Sequence, residues 1–193
     1  MRMNPVEKLF VNRPEHTVRV AHRARLLLER IDFRAGWRYL DVGCGVGAAA
    51  CEIAGNCGLD VTGVDIDPKQ IEAARARGAD PQPRFEAMDA TKLRFRDAGF
   101  DIVASSMSTH HIPHWERAFA EMMRVLRPGG YLIYTDFMFP AWLAATLAAI
   151  GRLVPFVGTP SKARVESLAS DAGLTQVYQS RTGLQCDFIW RKN

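Results

Sequence analysis

The sequence predicts an α/β domain with a doubly wound, mostly parallel β-sheet. Apolar runs typical of buried strands alternate with segments of helical composition through much of the chain. This alternation favours a parallel sheet with helices on both faces. A glycine-rich turn directly follows the first apolar run, and α/β proteins bind ligands where such a turn meets the carboxyl end of a strand.

Each element can be placed from the composition of its segment. Strands are predicted near residues 38–42, 60–65, 83–86, 99–105, 130–136, 175–180 and 186–190. Helices are predicted at residues 15–31, 46–56, 68–77, 115–125 and 161–172. The helix at 115–125 should stop before the Pro-Gly-Gly turn at 128–130, because proline and glycine terminate helices.

The composition is that of a soluble domain of ordinary size. The chain has 193 residues, of which 48% are hydrophobic and 24% charged, enough to bury a core of its own. No cationic stretch with an apolar core and a cleavage site opens the sequence. Its four cysteines include no C-x-x-C pair, so we expect reduced thiols in a cytoplasmic protein.

The glycine-rich turn contains an acidic residue. Residues 41–47 read D-V-G-C-G-V-G, and alternating glycines allow a sharp turn and a close approach of the backbone to a ligand. Asp41 would repel a phosphate, whereas it would attract an ammonium group. The glycines alone also fit the dinucleotide pattern G-x-G-x-x-G/A, so a nicotinamide-dependent oxidoreductase stays open as an alternative.

Two further acidic residues follow later strands. Asp65 ends the strand at 60–65, where a carboxylate can accept hydrogen bonds from both hydroxyls of a ribose. Asp89 follows the strand near 83–86. On its own, Asp89 is as readily interpreted as a cap for the turn before Thr91.

These segments, with the strand at 99–105 and the sequence L-R-P-G-G at 126–130, cover residues 39–136 without a gap. In this order they resemble the class I S-adenosylmethionine-dependent methyltransferases, in particular the small-molecule group of the ubiquinone and menaquinone biosynthesis type. The resemblance implies a single-domain Rossmann-like fold whose seven-stranded sheet ends in an antiparallel C-terminal hairpin. It also implies S-adenosylmethionine as cofactor and S-adenosylhomocysteine as product.

The resemblance also implies a set of cofactor contacts. Asp41 would hold the methionine ammonium and Asp65 the ribose. Ile66 would pack against the adenine, and Asp89 would accept from its amino group. The whole implied cofactor-binding set is Asp41, Gly43, Cys44, Gly45, Gly47, Asp65, Ile66, Asp89, Ala90, Ser105 and Ser106.

His110 and His111, just past the strand at 99–105, are the candidate catalytic residues. A general base is needed only if the acceptor loses a proton as it attacks, and a structural role in orienting the loop is an equal alternative. His114 completes an H-H-x-x-H pattern, but no nearby acidic or cysteine residue completes a ligand set, so no metal is expected. The N-P-P-Y type motif of amide-nitrogen methylation is absent.

We expect one methyltransferase domain over residues 1–193. Its parts would be an N-terminal helical cap at 1–36, a cofactor-binding core at 37–136, and a substrate-side helix with the C-terminal hairpin at 137–193. The helix at 15–31 is interpreted either as a surface helix or as a cap over the cofactor site. Its apolar face would contain Val18, Ala21, Ala24, Leu28 and Ile31.

Charge and hydropathy indicate the partners. Residues 1–38 carry nine Lys/Arg and four Asp/Glu, and the remainder carries sixteen and seventeen. The arginines of the first helix, Arg19, Arg23 and Arg30, would favour an anionic substrate or a membrane surface. Nucleic acid is not expected, because no basic stripe is interleaved with aromatics.

Residues 137–153 are the least polar segment of the chain and are too short to span a bilayer, which takes about 20 apolar residues. A buried helix is the default interpretation. The alternative is a lipophilic substrate cavity or a membrane contact, lined by Trp142, Leu147, Ile150 and Phe156.

The predicted activity is methyl transfer from S-adenosylmethionine to a small, lipophilic acceptor by in-line displacement. The acceptor atom, whether oxygen, nitrogen or carbon, stays open. A non-catalytic module that keeps the cofactor pocket is the second alternative to an enzyme of this class.

Overall fold

The computed structural model describes residues 13–138 and 160–193. Its helices are α1 (Pro14–Leu28), α2 (Ala48–Cys57), α3 (Pro68–Ala76), α4 (Trp115–Val125) and α5 (Lys162–Asp171). Its strands are β1 (Arg38–Val42), β2 (Asp60–Asp65), β3 (Arg84–Ala87), β4 (Phe100–Ser106), β5 (Leu126–Phe137), β6 (Leu174–Thr182) and β7 (Gln185–Lys192). The predicted lipophilic segment with Trp142, Leu147, Ile150 and Phe156 lies outside the described residues.

The strands form a seven-stranded sheet in the order β3-β2-β1-β4-β5-β7-β6. Neighbours from β3 to β5 are parallel, whereas β7 runs antiparallel to both β5 and β6. From β1 the chain adds β2 and then β3 on one side, and it returns to place β4 on the other side of β1. The direction of winding therefore changes between β1 and β4. The predicted doubly wound sheet with an antiparallel C-terminal hairpin is confirmed.

Two hydrophobic cores lie on opposite faces of the sheet. The first combines α1, α2 and α3 with strand residues such as Tyr39 and Ile133. The second combines α4 and α5 with the alternate strand residues, such as Leu40 and Leu132. Because successive strand residues point to opposite faces, β1 and β5 contribute to both cores and are buried on both sides.

Local signals explain where the helices begin. Asp67 caps α3 by accepting from the Lys69 N–H at 3.1 Å, and Pro68 occupies the first turn. Ser161 caps α5 by accepting from the Arg164 N–H. The strand before the hairpin is longer than predicted, because β5 begins at Leu126 and pairs there with Phe100 before an irregular stretch around Gly130.

The apolar face predicted for α1 is partly wrong. Val18 is 68% exposed, and Thr17 is buried in its place. The Thr17 hydroxyl donates to the Pro14 carbonyl at 2.9 Å, which satisfies its polar group inside the helix. Ala24 and Leu28 are buried as expected.

Arg23 of α1 and Arg30, which follows the helix, contact the C-terminal hairpin. Arg23 donates two hydrogen bonds to the Asp187 carboxylate of β7, at 2.9 and 2.6 Å. The Arg30 guanidinium lies 4.9 Å from the centre of the Tyr178 ring. These contacts fasten α1 to the C-terminal hairpin, so Arg23 is not a solvated charge as its position in the sequence suggested.

All four cysteines are free thiols. Cys44 and Cys186 are buried, whereas Cys51 and Cys57 are only partly buried. Within the described ranges, no helix has the length and apolar character needed to cross a bilayer.

Candidate functional site

The carboxyl ends of the parallel strands bring the sequence-predicted acidic residues to one edge of the sheet. Asp41 in β1 lies beside Gly63 of β2 and Ala104 of β4. Asp65, the last residue of β2, lies beside Ala87 of β3. In a doubly wound sheet, the crevice at this edge next to the strand reversal is where ligands bind.

The three glycines of the turn at 43–47 differ in what surrounds them. Gly43 and Gly47 have positive φ angles of 79° and 72° and face packed neighbours. A Cβ at Gly47 would lie 2.7 Å from the Phe85 ring, and one at Gly43 would overlap Ser108. At Gly45, in contrast, a Cβ would meet no heavy atom within 4 Å. The middle of the turn therefore borders open space that a ligand can reach.

Asp65 holds the turn in place. Its Oδ2 accepts from the Gly45 N–H at 3.0 Å, and its Oδ1 accepts from the Asp67 N–H at 2.9 Å. The carboxylate thus joins the glycine-rich turn to the loop before α3. Each carboxylate oxygen has a second lone pair, so these contacts leave the group able to accept further hydrogen bonds.

Asp41 is a buried carboxylate without a hydrogen-bond partner in the described parts of the chain. Its residue is 4% exposed. Burial raises its pKa from 3.8 to about 7, and the nearby Asp65 charge adds to the shift. A buried, uncompensated carboxylate is unfavourable, so this position is suited to receive a cation.

The other predicted adenosine contacts lie at the ends of β2 and β3. Ile66 follows Asp65 and is 39% exposed, so its side chain can receive a flat ring. Asp89 is exposed, and its Oδ1 accepts from both the N–H and the hydroxyl of Thr91, each at 2.8 Å. This is the turn cap that the sequence offered as the alternative for Asp89. Ala90 is partly buried beside it.

The serines at the end of β4 brace the glycine-rich turn. The Ser105 and Ser108 hydroxyls are 2.8 Å apart, and Ser108 donates to the Val42 carbonyl of β1 at 3.2 Å. Ser105 is 1% exposed, whereas Ser106 is only partly buried. Ser105 therefore supports the turn through its contact with Ser108. The role of Ser108 in bracing the turn was not predicted from the sequence.

His110 lies in a short 3₁₀ turn, Thr109–His111, directly after β4. It is 4% exposed, and its Nδ1 lies 2.5 Å from Oδ1 of Asp136 near the end of β5. The His111 ring is tilted against the His110 ring, with centres 3.9 Å apart. The described residues hold no group of three or more His, Cys, Asp or Glu side chains arranged for a metal ion.

Asp136 was missed from the sequence. It is 0% exposed and accepts from the backbone N–H groups of Thr109 and Phe137 at 2.9 and 2.7 Å. The available signal was an acidic residue inside an otherwise apolar strand, since a charge is buried only where partners compensate it.

The comparisons with known proteins agree with this geometry. Residues 40–134 match the family described as a methyltransferase domain. This range contains the glycine-rich turn, the candidate residues His110 and His111, and most of β5. Residues 40–134 belong to the class I S-adenosylmethionine-dependent methyltransferases.

Similar methyltransferases include enzymes with named small-molecule acceptors. The 27-O-demethylrifamycin SV methyltransferase of Amycolatopsis mediterranei is 42% identical over 138 residues, covering 68% of this chain and 50% of that protein. The demethylmenaquinone methyltransferase of Beutenbergia cavernae is 34% identical over 118 residues, covering 61% and 48%. The chain spans about half the length of these relatives.

A solved structure supports the fold. Geranyl diphosphate methyltransferase in complex with S-adenosylmethionine superposes with a TM-score of 0.74 at 16% identity, covering 94% of this chain and 92% of that one. At this level of identity, the match supports the methyltransferase fold.

S-adenosylmethionine is the cofactor of this methyltransferase family, and two observations fit it to the present site. Asp41 is a buried carboxylate without a cationic partner in the described residues, and the cofactor carries an ammonium group. The open space beside Gly45 lets the cofactor approach the turn without meeting a side chain there. The residues therefore fit the group.

Proposed function

We propose that this methyltransferase transfers the methyl group of S-adenosylmethionine to a small, lipophilic acceptor. The observation that carries the proposal is the buried Asp41 carboxylate at the glycine-rich turn, whose pKa is raised to about 7 and which has no compensating partner among the described residues. A dinucleotide phosphate in this place would be repelled by that carboxylate, whereas an ammonium group would neutralise it.

The remaining contacts follow from the positions of the residues. Asp65 receives the ribose hydroxyls with its remaining lone pairs, while Ile66 packs on the adenine. Asp89 accepts from the adenine amino group although it also caps the turn at Thr91. The cofactor-binding set is the one expected from the sequence, with Ser105 acting through Ser108 rather than by direct contact.

The chemistry needs few catalytic groups. Methyl transfer from a sulfonium is an in-line displacement, so alignment of acceptor and methyl group and exclusion of water lower much of the barrier. The chain's part is to hold the cofactor through the turn at 43–47 and to keep the acceptor in line. His110 and His111, beyond the end of β4, are the candidate catalytic residues.

The acceptor class is supported by the relatives' names, 27-O-demethylrifamycin SV and demethylmenaquinone methyltransferase. Both names describe a small-molecule acceptor. We therefore propose that the chain belongs to the small-molecule group expected from the sequence. In this proposal it acts in the cytoplasm, has no nucleic acid partner, and makes peripheral contact with a membrane where a lipophilic acceptor resides.

We propose a separate role for each of three parts of the chain. Residues 37–136 bind the cofactor, residues 1–36 cap the domain, and residues 137–193 supply the acceptor side and the C-terminal hairpin. The whole of residues 1–193 acts as a single domain.

The test is calorimetric titration of the purified protein with S-adenosylmethionine, S-adenosylhomocysteine and NADH. Binding of the first two at micromolar concentration, and none of NADH, is the expected result. Binding of NADH alone would replace the proposal with an oxidoreductase. No binding of any of the three would contradict a working cofactor pocket.

Two variants test the contribution of Asp41 to cofactor binding in the same titration. Asp41→Asn should weaken S-adenosylmethionine binding at least tenfold, because loss of a charged partner costs about 1.5–3 kcal/mol. Asp32→Asn removes an exposed carboxylate after α1 and should leave binding unchanged. Cofactor binding without turnover on any of a panel of phenols, quinols and amines would favour the non-catalytic module.

A further inference from the structure

Met107 has a backbone conformation that residues with side chains rarely adopt. Its φ angle is 54°, in the left-handed region. A Cβ makes that region unfavourable, so glycine or asparagine is its usual occupant. Among the described residues other than glycine, only Ala98 shares a positive φ, at 51°. Met107 therefore makes the fold less stable than a glycine at the same position would.

Contacts on both sides of Met107 hold it in this conformation. Its N–H donates to the Thr135 carbonyl of β5 at 2.8 Å, which continues the pairing of β4 with β5 past the last residue of β4. The hydroxyl of the next residue, Ser108, lies 2.8 Å from the Ser105 hydroxyl and donates to the Val42 carbonyl at 3.2 Å. The chain has to turn between these two anchors, and the left-handed conformation of Met107 makes that turn.

The packing of the domain does not explain the Met107 side chain. The residue is only partly buried, and it belongs to neither of the two hydrophobic cores that the described residues form. A long apolar side chain thus occupies an unfavourable backbone position without contributing to a core. Strained residues of this kind are concentrated at ligand sites, where the strain fixes the position of a side chain.

Met107 lies at the part of the sheet edge that the proposed cofactor contacts leave open. The contacts proposed for the ammonium, the ribose and the adenine come from acidic residues in or after β1, β2 and β3. The carboxyl ends of β4 and β5 then border the acceptor. Met107 directly follows β4, and Phe137, the last residue of β5, lies two positions beyond the Thr135 carbonyl that Met107 binds. Met107 and Phe137 are therefore neighbours on the acceptor side.

Flat side chains accompany Met107 at this edge. Phe137 and His111 are both partly buried, and their ring centres lie 5.3 and 3.9 Å from that of His110. The thioether of methionine is polarisable and makes favourable contacts with aromatic rings, whereas it is only a weak hydrogen-bond acceptor. Aromatic side chains also favour a second ring through stacked or edge-to-face contacts. These residue types are suited to a flat, unsaturated ligand.

We propose that Met107 is a specificity-determining residue that contacts the methyl acceptor, and that this acceptor carries a flat aromatic ring. The inference rests on the proposed methyl transfer and narrows its lipophilic acceptor to one class. The left-handed backbone holds the Met107 side chain against the ring, which limits the motion of the acceptor relative to the methyl group. A saturated ring of the same skeleton is thicker and has no π-electrons for the sulfur to contact.

The experiment compares two compounds of the same carbon skeleton, the aromatic β-naphthol and its fully saturated analogue β-decalol. Titration calorimetry of the full chain with saturating S-adenosylhomocysteine gives a dissociation constant for each. We expect the wild type to prefer β-naphthol. Met107→Leu keeps the size and the backbone penalty of the residue but removes the sulfur, so it should reduce this preference about twofold to tenfold. Equal affinity of the wild type for both compounds, or binding of neither, would overturn the proposal.

Met107→Gly separates a ligand contact from a structural role. Glycine adopts a positive φ readily, so this variant should raise the thermal midpoint by about 2–4 °C. Because it removes the whole side chain, it should also weaken β-naphthol binding about tenfold. Ala98→Gly is the matched control, since Ala98 has the same backbone conformation at an exposed position before β4. It should raise the midpoint by a similar amount and leave the binding of both compounds unchanged. A lower midpoint in Met107→Gly would make the residue structural and overturn the proposal.

Failure of this inference is distinguishable from failure of the proposed function. S-adenosylhomocysteine binding is measured first in each titration, and Met107→Gly should bind it as tightly as the wild type does. Weakened binding would assign Met107 to the cofactor and overturn its contact with the acceptor. Unchanged affinity of Met107→Gly for both S-adenosylhomocysteine and β-naphthol would remove the role of Met107 and keep the methyltransferase. A wild-type protein that does not bind S-adenosylhomocysteine would remove the proposed function and, with it, this inference.

Discussion

Asp41 imposes a cost on the folded protein that its ligand can relieve. Its pKa rises from 3.8 to about 7 on burial. At about 1.36 kcal/mol per pKa unit, the ionised carboxylate costs the folded state roughly 4 kcal/mol above neutral pH. Because the folded pKa is the higher one, this cost grows as pH rises from the unfolded value through about 7. A bound ammonium group would offset it.

This cost predicts a pH-dependent affinity for S-adenosylmethionine. Below the free-protein pKa of about 7, a proton must leave Asp41 before the ammonium can pair with it. The dissociation constant should therefore rise by up to tenfold for each pH unit below about 7. It should be lowest between about 7 and 8, because the ammonium group loses its own proton at higher pH. Titration calorimetry between about pH 5.5 and 8.5 measures this slope. Asp41→Asn should bind weakly with no slope, and a level wild-type profile would contradict the assignment.

Gln70 is a second residue with an unsatisfied group. It is 3% exposed in α3, and its Oε1 has no hydrogen-bond partner in the described part of the chain. A buried polar atom without a partner costs about 1–3 kcal/mol.

Gln70→Met should accordingly raise the free energy of unfolding by about 1 kcal/mol, because methionine has a similar shape and no polar atom to satisfy. Urea denaturation measures the change. Gln176→Met, at an exposed position of β6, is the control and should be close to neutral. A loss of stability at Gln70 would mean that its amide is satisfied in solution.

Single residues differ in how well the sequence predicted them. Asp41, Asp65 and the glycines could be proposed from the sequence because they form a compact local pattern. Asp136 was missed because its contact with His110 joins residues 26 positions apart. No local spacing indicates such a pair before the strand order is known.

At the scale of elements, α1 depends on a charged contact for its position. Arg23 reaches Asp187 in β7, and Asp187 also accepts from Thr135 and Ser180 at 2.9 and 2.6 Å. Burial raises the Asp187 pKa, but the hydrogen bonds from Arg23, Ser180 and Thr135 outweigh it, and the net pKa is lowered.

Arg23→Met should lower the free energy of unfolding by about 1–3 kcal/mol at neutral pH. Because the pKa of Asp187 is lowered in the folded protein, its ionised carboxylate stabilises the fold at pH values above its unfolded pKa. This stabilisation is lost as pH falls through the folded pKa. The difference from wild type should therefore shrink below about pH 4. Chemical denaturation at both pH values tests this. Arg19→Met, at an exposed position of the same helix, should have little effect at either pH.

The elements were predicted well where local signals are strong. The predicted bounds of β1, β2 and α4 agree with the structure, because turn residues or caps flank each of them. The face of α1 was predicted less well, since apolar character alone placed Val18 inward. The hydroxyl of Thr17 donates a hydrogen bond to the Pro14 carbonyl within the same helix, so Thr17 can be buried in place of Val18. The start of β5 was missed because glycine and proline interrupt it.

At the scale of the molecule, one sheet runs from the cofactor edge to the C-terminal hairpin, and each face has a continuous core. We expect residues 1–193 to unfold in a single cooperative transition. Thermal scans followed by far-ultraviolet circular dichroism and by tryptophan fluorescence should give the same midpoint. Saturating S-adenosylmethionine should raise that midpoint, since a ligand at a hundred times its Kd adds about 2.7 kcal/mol. Two separate midpoints would contradict the single domain.

The contact between Arg23 and Asp187 also bears on how the protein is made. The two residues are 164 positions apart in the chain. A ribosome that adds about 5–20 residues per second needs roughly 8–33 s to pass from one to the other. Throughout that interval the α1 guanidinium has no carboxylate from β7 to bind, although α2 is already available to pack against. One of the first helices to be synthesised is therefore among the last to be fixed in place.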